Sequence, residues 1–131
     1  MKIYFDENIS PFLAKGLELL EKPNNQGFEI YSIKEEFGQG IPDEEWIPKV
    51  GAENGIVITQ DIHIQRTRVQ RELYQKHGLG IFFIHSPGKN QYKYWEMVKY
   101  IIAKWEDIKN NAKSTKTPFA YRCTSKKIEK I

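Results

Sequence analysis

Acidic residues stand where short apolar runs end, which is where a hydrolytic centre would need them. Met1–Phe5 is apolar apart from Lys2, and Asp6, Glu7 and Asn8 follow directly. Ile56–Thr59 is apolar and β-branched, with Asp61 two residues further on. Between them, Asp43, Glu44 and Glu45 open a segment after Gly40 and Pro42. If the two apolar runs are parallel strands, their carboxyl ends lie side by side at the edge where α/β sheets bind ligands. Asp6 and Asp61 then converge although 55 positions separate them. Converging carboxylates repel, and a hard divalent cation relieves the repulsion. The expected site is therefore a metal centre around Asp6 and Asp61, with Asp43 a further candidate, and the expected chemistry is hydrolysis.

The neighbours of these acids have two readings each. Asn8 either orients Asp6 through its amide or caps the helix that starts near Ser10. Asp43 is equally the residue that N-capping demands ahead of a helix. Glu44 and Glu45 suit the positive end of a helix dipole, and one of them could reach a metal. Thr59 begins a Thr-x-Asp ending on the third strand. His63, two residues past Asp61, is a surface polar residue or else a ligand or proton shuttle with a near-neutral pKa. Arg66, Arg68 and Arg71 follow within one helix, and guanidinium forks match phosphate oxygens. A cationic rim beside an acidic pocket suits phosphodiester cleavage; a solvated helix face is the alternative.

The elements that position these residues are legible from period and turn chemistry. Lys2–Phe5 reads as a strand. Ser10 and Pro11 start a helix to about Glu21, with Phe12, Leu13, Leu17 and Leu20 at helical spacing. A turn at 23–27 leads to a strand over Phe28–Ile33, and Phe37–Pro42 is a loop. Asp43 caps a helix to about Asn54, which Pro48 must enter near its start or kink. Ile56–Thr59 is a third strand, and Gln65–His77 a helix with Val69 and Leu73 inward. Gly80–Ile84 is apolar throughout, as a strand buried on both faces is. Gln91–Asn110 is a long helix on which Trp95, Val98, Ile102 and Trp105 mark one face, so both tryptophans read as core. Phe119–Thr124 and Ile128–Ile131 are short β pieces that pair as a hairpin or add to a sheet edge.

This alternation predicts a three-layer α/β/α domain with a central, mostly parallel sheet of four to five strands. The 131 residues are one domain's worth, divided as 1–112 for the α/β body and 113–131 for a basic tail. Residues 1–108 carry 13 Lys/Arg and 16 Asp/Glu, a net of −3. Residues 109–131 carry seven Lys/Arg and one acid, a net of +6. Such a tail either contributes phosphate binding or is a solvated end. The single cysteine, Cys123, excludes an internal disulfide and a cysteine zinc cluster. No apolar run is long enough to span a membrane, and a cytoplasmic location is the default expectation.

Three stretches carry a family resemblance: KIYFDENISPFLAKGLELL at 2–20, PDEEWIPKVGAENGIVITQD at 42–61 and GIFFIHSPG at 80–88. In order and spacing they resemble the PIN-domain-like superfamily, especially its small prokaryotic members such as toxins of the VapC type. The resemblance implies a Mg²⁺- or Mn²⁺-dependent ribonuclease whose acids are Asp6, Asp43 and Asp61. It also implies an antitoxin protein partner and a possible homodimer. Two positions depart from the pattern. His63 stands where many relatives have a second Asp, and region 22–42 offers no counterpart of a further glutamate. Glu7, Glu44 or His63 would compensate. Two other classes remain open. One is a binding module of the same fold without catalysis. The other is a phosphoacceptor receiver-like domain, against which Lys89 comes one strand too early.

Overall fold

The computed structural model describes residues 1–60 and 64–131, and side chains throughout except those of residues 61–67. Twelve elements follow one another: β1 (Lys2–Phe5), α1 (Pro11–Glu21), a 3₁₀ turn (Lys22–Asn24), β2 (Glu29–Ser32), α2 (Ile33–Phe37), α3 (Asp43–Ala52), β3 (Ile56–Gln60), α4 (Ile64–His77), β4 (Gly80–Ile84), α5 (Tyr94–Ser114), β5 (Phe119–Cys123) and β6 (Ile128–Lys130). They build one sheet in the order β2-β1-β3-β4-β5-β6. The first five strands are mutually parallel, and β6 runs antiparallel on β5. The fold is thus the expected α/β layer structure, with six strands instead of four or five. The basic tail is part of it: its two β pieces pair with each other and also extend the sheet.

Strand alternation sorts the core into two halves. Ile3, Phe5, Ile56, Ile58, Phe82 and Ile84 face α1 and α5. Tyr4, Val57, Ile81 and Phe83 face the other way, onto Ile33, Trp46, Ile47, Val50 and Tyr74. β3 and β4 are buried along their whole length, as strands covered on both faces must be.

Local signals at helix ends were accurate for α1, where Ser10 Oγ accepts the Phe12 N–H at 3.2 Å and Pro11 opens the helix. They were one residue off for α3. Pro42 is the cap, Asp43 is the first helical residue, and Pro48 lies well inside the helix. The N–H that Pro48 lacks deprives the helix of one bond. The helix closes early, at Ala52, where Asn54 takes a left-handed φ of 54° and Gly55 N–H returns to Val50 O at 3.0 Å. α2 has no counterpart in the sequence reading: Ser32 Oγ caps it through the Glu35 N–H at 3.4 Å.

Three readings of helix faces are corrected by packing. On α1, Leu13, Ala14 and Leu17 are buried, whereas Phe12 and Leu20 are 72% and 68% exposed. On α4, Val69 is exposed, and the inward residues are Gln70 and Tyr74 with Leu73 beside them. On α5, the buried stripe is Met97, Tyr100, Ile101, Trp105, Ile108 and Ala112. Trp95 and Ile102 are 67% and 54% exposed, so only one of the two tryptophans is core. α1 and α5 contain more apolar residues than one face can bury, and the tertiary contact selects among them; on α4 it buries the amide of Gln70 in preference to Val69. Cys123 is fully buried, and burial pushes its thiol up to about 12. No described helix is long and apolar enough to cross a membrane.

Candidate active site

The sheet order makes β1 and β3 neighbours although β2 lies between them in sequence. To either side of this pair the chain winds in opposite directions. This is the switch point at whose carboxyl edge open parallel sheets form a crevice. The pairing of Phe5 with Ile58 continues past the strand end, where Asp6 N–H donates to Ile58 O at 2.9 Å. Asp6 therefore emerges beside Thr59, on the sheet face that α3 covers.

Asp6 is only 7% exposed. Its Oδ2 accepts the Thr59 hydroxyl at 2.6 Å, and its Oδ1 accepts the Glu7 backbone N–H at 2.7 Å. One donor on each oxygen fixes the plane of the carboxylate. Thr59 is held in turn: Asn8 Nδ2 lies 3.3 Å from its Oγ1 and 3.4 Å from Gln60 O. The chain Asn8–Thr59–Asp6 ties the exit of β1 to the end of β3. Of the two readings of Asn8, the orienting one matches this geometry; the helix cap belongs to Ser10.

Gln60 is the member of this cluster that the sequence reading passed over. Its Nε2 donates to Asn8 O at 3.2 Å, and its Oε1 accepts the Tyr92 N–H at 3.1 Å. It is buried at the end of an otherwise apolar strand. A polar residue continuing a β-branched run was the available signal, since a buried amide has to satisfy both ends.

The remaining acids are distributed around this cluster. Glu7 Oε1 accepts the Gly40 N–H, which draws the loop before α3 against the end of β1. Asp43 follows three residues later, half-buried, with Oδ1 accepting Trp46 Nε1 at 3.1 Å. Glu44 and Glu45 are exposed in the first turn of α3. Asp61 and His63 lie outside the described residues, as does the side chain of Arg66. Among the described residues no three His, Cys, Asp or Glu side chains form a group able to hold a metal. Arg68 is exposed on α4. Arg71 lines a recess with Tyr74, Pro118, Phe119 and Lys130, next to the start of β5 and away from the strand ends that carry Asp6.

The family is decided by residues 1–86, which match the family described as PIN like domain. This chain belongs to the PIN-like domain family. Its α/β sheet with an acidic carboxyl edge is accordingly a nuclease-type fold. The fifth parallel strand, β5, supplies an element that a receiver-like domain also needs, but the match assigns the body of the chain to the PIN-like family. No match is found among the curated proteins or among the solved structures.

Proposed function

We propose that this PIN-like protein is a metal-dependent endoribonuclease, and that it acts as the toxin of a toxin–antitoxin pair whose partner protein covers the acidic edge. The observation that carries the reading is the buried Asp6 carboxylate. It is oriented by Thr59 and Asn8 at the carboxyl edge of the β1–β3 switch point. A carboxylate placed there serves no packing purpose, and its orientation is secured by residues from two strands. Positioning of this kind is what a reacting phosphate requires.

The donor set consists of hard oxygens and fits Mg²⁺ or Mn²⁺. Asp6 and Asp61 would be primary ligands, with Asp43 a ligand or the group that orients the attacking water. A bound divalent ion supplies a hydroxide nucleophile near neutral pH and offsets phosphate charge. The chain's own part is to orient Asp6 through Thr59, and to tie the loop before α3 to the end of β1 through the Glu7–Gly40 contact. Glu44 and His63 are the supporting candidates, and Arg66 and Arg68 the candidate phosphate contacts. A homodimer is compatible with this arrangement.

The test is cleavage of single-stranded and structured RNA by purified protein with Mg²⁺, Mn²⁺ or EDTA, beside Asp6→Asn and Asp61→Asn. Metal-dependent cleavage lost in both variants is the expected result. RNA bound but uncut under every condition would instead favour a binding module on the same fold, consistent with His63 replacing the family's second Asp.

A further inference from the structure

Tyr92 and Tyr94, which lie outside the residues matched to the family, wall a recess at the carboxyl edge of the sheet. The recess, about 180 Å³, is lined by Asn8, Ser10, Gln60, Tyr92, Tyr94 and Met97. It shares Asn8 and Gln60 with the cluster that positions Asp6, so it opens at the same carboxyl edge of the sheet, on the side of α1 and α5.

Its outer wall is aromatic and rigid. Tyr92 stacks on Tyr100 with centroids 5.3 Å apart, and the Tyr100 hydroxyl is anchored on Thr124 O at 2.7 Å. Tyr92 N–H is anchored on Gln60. Tyr94 and Trp95 meet edge to face at 5.3 Å, yet remain 44% and 67% exposed. Two large rings left in water beside a recess mark a binding surface more than a packing remnant.

The charge of the wall narrows the occupant. Residues 85–95 contain Lys89 and Lys93 and no Asp or Glu. Both lysines are exposed. The next acid along the chain, Glu96, accepts the Lys93 N–H at 2.8 Å. A ligand with flat π faces and an anionic backbone satisfies the rings and the lysines together. Single-stranded nucleic acid is bound in this way, by stacking on aromatic side chains along a cationic track.

We propose that Tyr94 and Trp95 stack an unpaired nucleobase of the RNA substrate beside the recess, with Lys89 and Lys93 on its flanking phosphates. The assignment rests on the nuclease reading for the word substrate, and on the recess and its rings for the stacking. Stacking of this kind tolerates any base, so the subsite selects for unpaired RNA and not for sequence.

The test uses the full chain carrying Asp6→Asn, so that RNA is held and not cut. Fluorescence anisotropy is read with a labelled single-stranded oligoribonucleotide and with an abasic oligomer of the same length. The base-containing oligomer is expected to bind about tenfold more tightly than the abasic one. Tyr94→Ala and Trp95→Ala, added singly, are expected to remove about tenfold for the base-containing oligomer and to leave the abasic one unchanged. Trp95→Tyr should restore most of the loss. Both side chains are exposed, and an unchanged thermal midpoint verifies folding. Equal losses on both oligomers, no loss on either, or no binding of either overturns the proposal, and a protein-docking role for Trp95 would give the second of these. The two readings fail separately. If the parent protein cleaves RNA while Trp95→Ala alters neither affinity nor KM, the stacking subsite falls and the nuclease stands. If nothing is cleaved with any metal but binding still depends on bases and Trp95, the nuclease falls and the subsite stands.

Discussion

Two carboxylates are buried to nearly the same depth, Glu21 at 6% and Asp6 at 7% exposure, and they sit in different settings. Glu21 ends α1 and meets a cation: Lys109 Nζ lies 2.7 Å from its Oε1, joined there by Trp105 Nε1 at 3.0 Å. Lys109 is itself 1% exposed, bonds Gln26 Oε1 at 3.1 Å, pairs with Glu106 at 3.0 Å and lies over the Phe28 ring. This cluster locks α1 to α5 across 88 positions of sequence. The two donors described on Asp6, a hydroxyl and an amide, fix the direction of that carboxylate. One site holds two helices together, and the other fixes the direction of a carboxylate at the sheet edge.

The comparison is broken most directly by Lys109→Met. Removing one member of a buried pair leaves an uncompensated charge, and the expected loss is about 3–5 kcal/mol by urea denaturation. Glu21→Leu added to it should recover more than half, because an apolar pair replaces a desolvated ionic one. If Lys109→Met is silent, the α1–α5 lock is not what holds these helices.

Asp6→Asn should do the reverse. RNA cleavage is expected to fall by about a hundredfold or more, while the unfolding free energy changes by less than about 1 kcal/mol. A loss of stability as large as that of Lys109→Met would make Asp6 a second structural carboxylate and end the contrast. Thr59→Val removes one donor on Asp6 and the acceptor of Asn8 but keeps the shape. About a tenfold loss of cleavage is expected, with the metal dependence retained. Unchanged kinetics would mean that the Thr59 hydroxyl is not what positions Asp6.

The smallest effect is in the pH dependence of stability. Burial works to raise the Glu21 pKa, but hydrogen bonds from Lys109 and Trp105 outweigh it and hold the carboxyl below its ordinary 4.5. Its stabilisation is complete above 4.5 and is lost as pH falls through the depressed folded value. Lys109 is the mirror case. Burial acts to lower it, and the Glu21 and Glu106 carboxylates raise it above 10.5. Its contribution is complete below 10.5 and fades as pH rises through the folded value. Urea midpoints of the wild type should therefore drop in acid more steeply than those of the Glu21→Leu/Lys109→Met variant. Parallel curves would place the acid sensitivity elsewhere.

These two regions also differ in how far they could be read from residues alone. Asp6 announces itself, because an acid ending an apolar run has a local signature that needs no partner to be seen. Thr59 and Asn8 were visible as its neighbours in type, and the register of β1 on β3 brought all three together. Glu21 and Lys109 carried no such signal. They look like ordinary helix-surface charges, and only the docking of α5 on α1 buries them. Gln60 escaped for a related reason: its role depends on Tyr92, 32 positions away.

What the amino-acid order determined by itself is the succession of strands and helices apart from α2, the N-terminal cap of α1, and the acids at the strand ends. Period, turn chemistry and chain direction are properties of a few adjacent residues. Tertiary structure alone decided that β1 lies beside β3, that the tail extends the sheet through β5 and β6, and which stripe of α5 is buried. Those outcomes depend on burial summed over distant segments. An amphipathic helix with apolar residues on more than one face can be turned without any local cost. The long-range packing that buries Trp105 is therefore also what leaves Trp95 in solvent beside the recess.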